Sequence, residues 1–280
     1  MPTFETTGPV SATISILVGD VRISAADRTD AVVVVRPDNP SNKADVRVAE
    51  QTRIEYADGR LLVKTPKNLG SWFGRTGSIE VVLEVPSGSQ VRVDTGMGDV
   101  LADGRLGDCD LKTGYGDIRV ERTGALRLNT SAGDATVEHA EGDTMVTTGT
   151  GEVRVRHVGG SAQVKNSHGH TWIGEVHRDL QANAANGNIT VDRAEANVAA
   201  KTAHGTVRVA EVVRGQIVLE TAHGDLEVGI REGTAAWLDV NTSGGRVQNQ
   251  LTATAGPDED GETVEVRART YHGDIVIRRS

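Results

Sequence analysis

Six acidic residues follow a glycine directly in the same local setting: Gly98-Asp99, Gly116-Asp117, Gly133-Asp134, Gly151-Glu152, Gly224-Asp225 and Gly273-Asp274. Oxygen-rich turns of this kind suit a hard cation, because carboxylates replace its hydration shell. Calcium-binding β-rolls, however, follow a nonapeptide G-G-x-G-x-D pattern, whereas here one acid follows each glycine. Asp99, Asp117, Asp134 and Glu152 therefore read first as solvated acids that accept turn N–H bonds or meet Arg119 and Arg154, with calcium as the alternative. Four histidines, His168, His204, His223 and His272, stand immediately before such glycines. His204 and His223 are one repeat apart and could share a transition metal. The competing reading is conformational, since His tolerates left-handed backbone before Gly as Asn186 does in the same position. The expectation is no metal and no cofactor.

These residues belong to an internal repeat. The segments TGMGDV, TGYGDI, TSAGDA, TGTGEV, NSHGHT, AANGNI, TAHGTV, TAHGDL, TSGGRV and TYHGDI, starting at residues 95, 113, 130, 148, 166, 184, 202, 221, 242 and 270, share one pattern. Their common glycines are Gly98, Gly116, Gly133, Gly151, Gly169, Gly187, Gly205, Gly224, Gly245 and Gly273, spaced 18, 17, 18, 18, 18, 18, 19, 21 and 28 residues apart. Apolar residues on either side alternate with polar ones, as in Val91/Val93, Ile217/Leu219, Val207/Val209 and Ile275/Ile277. Alternation at period two argues for half-buried strands. A unit of about 18 residues with two short strands cannot bury its own apolar side, but stacked copies bury a continuous one.

The expected fold is an all-β parallel β-solenoid (β-helix) of about ten 18-residue rungs, and rungs spaced ~4.8 Å apart would span roughly 48 Å. The shared glycine marks a turn with positive φ, the preceding small residue leaves room for turns stacked above and below, and the Thr at the motif's first position can hydrogen-bond along the stack. Residues 1–90 are less regular and read as an N-terminal β cap or degenerate rungs, with strands over 31–36, 46–56 and 61–65. Residues 91–280 are the repeats, interrupted by an acidic loop insertion at about 251–263 that holds Pro257-Asp258-Glu259-Asp260-Gly261. The strand Ile275-Val276-Ile277 would close the stack, its edge covered by that insertion and by Arg278 and Arg279, leaving a monomer or weak end-to-end self-association.

Composition narrows the function. Glycine counts 33 of 280 residues and aromatics only 3%, so the interior is built from small aliphatics. A formal net charge of −9 gives no reason to approach nucleic acid or an anionic membrane. No apolar stretch approaches the roughly 18 residues of a membrane span, and the start Met1-Pro2-Thr3-Phe4-Glu5 has no leader features. The default compartment is the cytoplasm, with the cell surface as alternative. The single Cys109 lies in an inward column and reads as a buried, inert thiol.

With its T-G-x-G-D-V repeats, including Gly19-Asp20-Val21-Arg22-Ile23, Thr113-Gly114-Tyr115-Gly116-Asp117-Ile118 and Ala184-Ala185-Asn186-Gly187-Asn188-Ile189, the chain resembles the bacterial "putative adhesin" β-strand-repeat family of unknown function. The resemblance implies a right-handed β-solenoid and brings no catalytic residues. The cytoplasmic, polymerising bactofilins are a looser architectural analogy.

No nucleophile elbow, Ser-His-Asp spacing or phosphate-binding loop appears, since the Gly-rich turns lead into strands. The expected function is a non-enzymatic scaffold or protein-interaction module with an unknown protein partner. A surface adhesin or carbohydrate-binding module is the alternative, and a β-helical polysaccharide-acting enzyme the third reading. Candidate contact residues are Trp72 and Phe73, in a loop-like stretch, and Trp172, at an outward strand position beside Arg154 and Thr190.

Overall fold

The computed structural model describes residues 2–66, 77–251 and 262–280. Trp72, Phe73 and most of the acidic insertion lie outside the described residues. The chain divides into two compact units, Met1–His139 and Ala140–Ser280, each built as a parallel β-solenoid.

In the first unit, strands Gln90–Met97, Cys109–Tyr115 and Leu126–Ala132 pair in parallel, with Val91 opposite Cys109 and Cys109 opposite Leu126. A second face pairs Val100–Arg105 with Ile118–Thr123. In the second unit, Thr144–Thr150, Ala162–His168, Leu180–Asn186, Val198–His204 and Gly215–His223 form one face. Val153–Val158, Thr171–Val176, Ile189–Ala194, Val207–Val212 and Leu226–Ile230 form the other. Alternate side chains point inward, so Ala162, Leu180, Val198 and Ile217 make one buried column and Val153, Ile189 and Val207 another. A slip of one residue would turn each column to solvent, and this fixes the register.

Strand order departs from sequence order at the start of the first unit. Ser11–Ala26 is one continuous strand whose first half pairs with Gln90–Met97 on one side and Arg60–Lys64 on the other. Its second half pairs with Val100–Arg105 and with Ile79–Pro86. It is thus a complete rung, turned at Gly19, where φ is 146°. The strand expected over 46–56 is corrected: Lys43–Gln51 is a helix, followed by the strand Arg53–Ala57. Asn42 caps the helix by accepting from the Ala44 amide at 3.0 Å. The buried Asp45 carboxylate takes bonds from the Asn39 and Ser78 amides at 3.1 and 3.0 Å. Such local capping overrides the strand preference of Val46 and Val48. The hairpin from Arg53–Ala57 to Arg60–Lys64 turns at Asp58-Gly59, both with positive φ, the type I′ geometry that suits strand twist.

The second unit ends with a matching permutation. Thr263–His272 pairs with Gly215–His223 on one side and Ala235–Gly244 on the other, while Ile275–Arg279 lies between Leu226–Ile230 and Val247–Asn249. The expectation that Ile275–Ile277 closes the stack, its edge covered by the acidic insertion, is therefore corrected: strands pair on both its sides. Burial gives the reason: Val264, Val266, Ala268, Ile275 and Ile277 are fully buried and need cover on both sides. The rung Ala235–Asn249 carries an exposed Val247 and the polar Asn249, which suit an outer position. Arg278 pairs with Glu227 at 2.9 Å, and Arg279 donates to the Arg231 and Thr234 carbonyls, both at 2.9 Å. The two arginines fasten the C-terminal strand into the stack.

Candidate functional site

The motif turn is the most repeated chemical feature, and its parts fit together across rungs. At Gly205 φ is 148°, and a Cβ would sit 2.2 Å from the Gly187 carbonyl oxygen. Gly245 has no positive φ, contrary to the expectation for all ten glycines, yet a Cβ there would still fall 2.0 Å from the Gly273 oxygen. Glycine is held in this column by the close approach of stacked turns, with positive φ as a second constraint at the others. The same carbonyl is satisfied by a hydroxyl from the next rung: Thr113 donates to Gly98 and Thr221 to Gly205 at 3.0 Å, Thr270 to Gly224 at 3.1 Å, and Thr242 to Gly273 at 2.9 Å. At the position held by Asn166, its amide makes the equivalent bond to Gly151 at 3.0 Å.

The acidic column is a hydrogen-bond ladder. The Asp99 amide donates to Asp20 Oδ1, the Asp117 amide to Asp99 Oδ1 and the Asp134 amide to Asp117 Oδ1, at 2.9, 2.8 and 2.7 Å. Asp225, Asp274 and the Arg246 amide continue the pattern in the second unit, both bonds at 2.8 Å. Each carboxylate is thereby spent on a backbone donor that the turn would otherwise leave unpaired. The opposite turn repeats the device, with Asp108 accepting from Ala125 and Asp143 from Ser161, both at 2.9 Å. That second ladder escaped the sequence reading, although Asp108, Asp143 and Asp179 stand directly before alternate strands of this face. No calcium-like convergence of oxygens is needed to explain these acids; Glu152 occupies the same position in the second unit.

His204, His223 and His272 stack face to face, with ring centroids 5.0 and 5.2 Å apart and planes 7° and 4° from parallel. Parallel rings aim their in-plane nitrogens side by side and away from a common point, which is poor geometry for one shared ion. His168 stands in the same column, opposite Asn186, which in turn is opposite His204. Trp172 is half-buried rather than fully exposed. Arg154 lies over its ring at 5.7 Å and its indole N–H reaches Asp192 at 3.3 Å, so one ring face and the N–H are taken up within the sheet. Burial pushes the Cys109 thiol above its usual range, which leaves it protonated and unreactive.

A groove of about 600 Å³ opens on the outer face of the second unit. Its floor is the small-residue column of the turns, Ala203 and Ala222, and its wall is Tyr271, which is 66% exposed. Lys201, Glu220 and Arg269 line the adjacent outward column. Lys201 pairs with Glu220 at 2.9 Å and Arg269 with Asp239 at 3.4 Å, so charged groups are held in place along the rim. Tyr271 stands out in sequence as the one bulky residue in that column, but its place beside Ala222 follows only from the permuted strand order.

The stacked Thr-Gly-x-Gly-Asp turns and two-faced parallel sheets define a repeat-type β-solenoid. The chain belongs to the Toastrack DUF4097 family, whose pattern matches residues 12–278. No curated protein matches it. Among solved structures it is similar to a "putative adhesin" from Bacteroides fragilis NCTC 9343 at 10% identity and TM-score 0.37, covering 99% of this chain and 95% of that one. A "putative adhesin" from Parabacteroides merdae ATCC 43184 is 12% identical with TM-score 0.30, over 99% and 95% of the two chains. A "putative cell adhesion protein" from Clostridium sporogenes ATCC 15579 is 10% identical with TM-score 0.26, over 100% and 97%.

Proposed function

We propose that the chain is a non-enzymatic binding scaffold that holds a protein partner in the groove beside Tyr271. The observation that carries this reading is the combination, on one rigid sheet face, of an exposed aromatic wall, a floor of small residues and a rim of fixed charges. An aromatic anchor flanked by polar groups supplies most of the energy in protein contacts. The strands beneath are locked by ladders on both sides, so little order has to be acquired on binding. The acids of the motif turns accept backbone amides there, which leaves the outward columns to make contacts. Among the described residues no helix is long and apolar enough to cross a membrane. Protease treatment of intact cells separates the two compartments under consideration: protection places the protein in the cytoplasm, cleavage at the surface.

Capture of a partner from the native cell should be lost in Tyr271→Ser and weakened in Arg269→Ala, while Lys112→Ala in the first unit leaves it unchanged. Equal capture by all three variants would reject the groove. A glycan-binding reading is favoured by one feature, the pairing of the Tyr271 ring with the hydrogen-bonding side chains of Lys201, Asn241 and Arg269. Tyr271-dependent retention on immobilised polysaccharide, with no protein partner captured, would establish it in place of the protein.

A further inference from the structure

A second constellation lies on the other face of the same unit, apart from the turn motif. His157 on Val153–Val158 stands in register with Glu175 on Thr171–Val176. His177 follows directly, and its amide donates to the Val158 carbonyl at 3.1 Å, which folds it back over the same rung. His157 Nδ1 is 3.4 Å from Glu175 Oε2, and His177 Nε2 is 3.7 Å from Glu175 Oε1. Ligand atoms of all three residues lie within 4.8 Å of one another.

We propose that His157, Glu175 and His177 form a binding site for a divalent transition metal, zinc foremost, that ties two adjacent rungs together. Two imidazoles and a carboxylate are a zinc ligand set that leaves a fourth position for water. Zinc bonds of ~2.0–2.1 Å in a tetrahedron set donors roughly 3.3 Å apart; each imidazole already has a Glu175 oxygen near that range, on different oxygens of the carboxylate, so Glu175 turns to present one of them to the ion. The two rings meet edge to face, with centroids 4.7 Å apart and planes at 87°, unlike the parallel stack at His204 and His223, and each brings a nitrogen within 4.8 Å of the other's and of a Glu175 oxygen.

Charge points the same way. Arg193 is surrounded by Glu175, Glu195 and Glu211 at 3.5, 3.3 and 3.1 Å. Three carboxylates crowded around one guanidinium make a negative setting that favours a dication. Arg193 Nε is buried with no hydrogen-bond partner and faces the same Glu175 oxygen that faces His177. Rotation of the carboxylate onto an ion lets that N–H close into a hydrogen bond, the outer contact that steadies a metal-bound carboxylate.

The test is calorimetric titration of tag-free, chelator-dialysed protein with Zn²⁺, with Co²⁺ as a spectroscopic probe. One equivalent should bind with micromolar affinity or better, and Co²⁺ should show the intense visible bands of a four-coordinate site. His177→Ala and Glu175→Gln should each weaken binding about 100-fold or more, whereas His223→Ala leaves it unchanged. His177→Cys, which keeps a ligand atom, should retain zinc and shows that any loss in His177→Ala is not misfolding. Metal-free melting temperatures near that of the parent protein complete that control. Binding only at millimolar zinc, binding unaffected by His177→Ala, or binding abolished by His223→Ala would overturn the site.

Discussion

His223 and His272 stack with ring centroids 5.2 Å apart and planes 4° from parallel, although the whole rung from Ala235 to Asn249 stands between them in sequence. The contact exists because Thr263–His272 inserts beside Gly215–His223 and displaces Ala235–Gly244 outward. The terminal segment is therefore structural glue for the strands on both its sides, and Tyr271 and Arg269 reach the groove only through it.

Removal of residues 263–280 should accordingly unpair four strands of the second unit at once and expose Ile217, Leu219 and Leu226, which are fully buried. The expected result is a melting temperature lowered by more than about 10 °C, or loss of cooperative unfolding in that unit. Far-UV circular dichroism during heating reads it. A truncated protein that melts within a few degrees of the parent would show that the segment is peripheral.

Glycine substitutions should rank by what a Cβ would meet. Gly205→Ala combines a φ of 148° with a backbone oxygen at 2.2 Å and should cost at least about 3 kcal/mol. Gly233→Ala, with φ of 82° and nothing within 4 Å, carries only local strain and should cost about 1 kcal/mol. Urea denaturation compares them. Equal losses would mean that φ alone, without the close approach of stacked turns, keeps glycine in the motif.

For the acidic ladder, Asp117→Ala should lower the melting temperature by about 2–4 °C through the lost acceptor for the Asp134 amide. Asp117→Asn should be nearly neutral, because Asn188 already performs this task for the Thr206 amide at 2.9 Å. Millimolar calcium should shift neither the parent protein nor the Asn variant. Calcium-dependent melting that disappears in Asp117→Asn would instead make the column an ion site.

Period, strand pairs and turn positions were legible because each rung repeats the same local demands: alternating Val, Ile and Leu inward, Gly where turns touch, Thr and Asp where backbone groups need partners. The strand order at both ends was not, because Ser11–Ala26 and Thr263–Arg279 look like any other rung and only their three-dimensional cover places them. The helix Lys43–Gln51 was masked by Val46 and Val48, whose strand preference is outweighed by the Asn42 and Asp45 caps. His157 and Glu175 stand one period apart, a relation the 18-residue repeat contains. Their meeting with His177 depends on the backbone turning after Val176, which no local pattern announces.

Cys109 gives the pH prediction. Burial raises its folded-state pKa above the unfolded value, so the folded state holds the proton longer. Its contribution to stability is complete below the ordinary thiol range of about 8.5 and is lost as pH rises through the folded value. Stability of the parent protein should therefore fall more steeply above about pH 9 than that of Cys109→Ala. A thiol reagent should label native protein only as fast as it unfolds, and rapid stoichiometric labelling at neutral pH would contradict the buried reading.

The groove rests on strand order, and disulfide trapping reads that order directly. Glu220 and Asn241 are each the register partner of Arg269, so outward cysteines at these places are within bridging distance of position 269 but not of each other. In a Cys109→Ser background, Glu220→Cys/Arg269→Cys and Asn241→Cys/Arg269→Cys should both oxidise to intramolecular disulfides, and Glu220→Cys/Asn241→Cys should stay reduced. Ready closure of the 220–241 pair, with neither 269 pair forming, would restore sequence order to the rungs and remove Tyr271 from the groove.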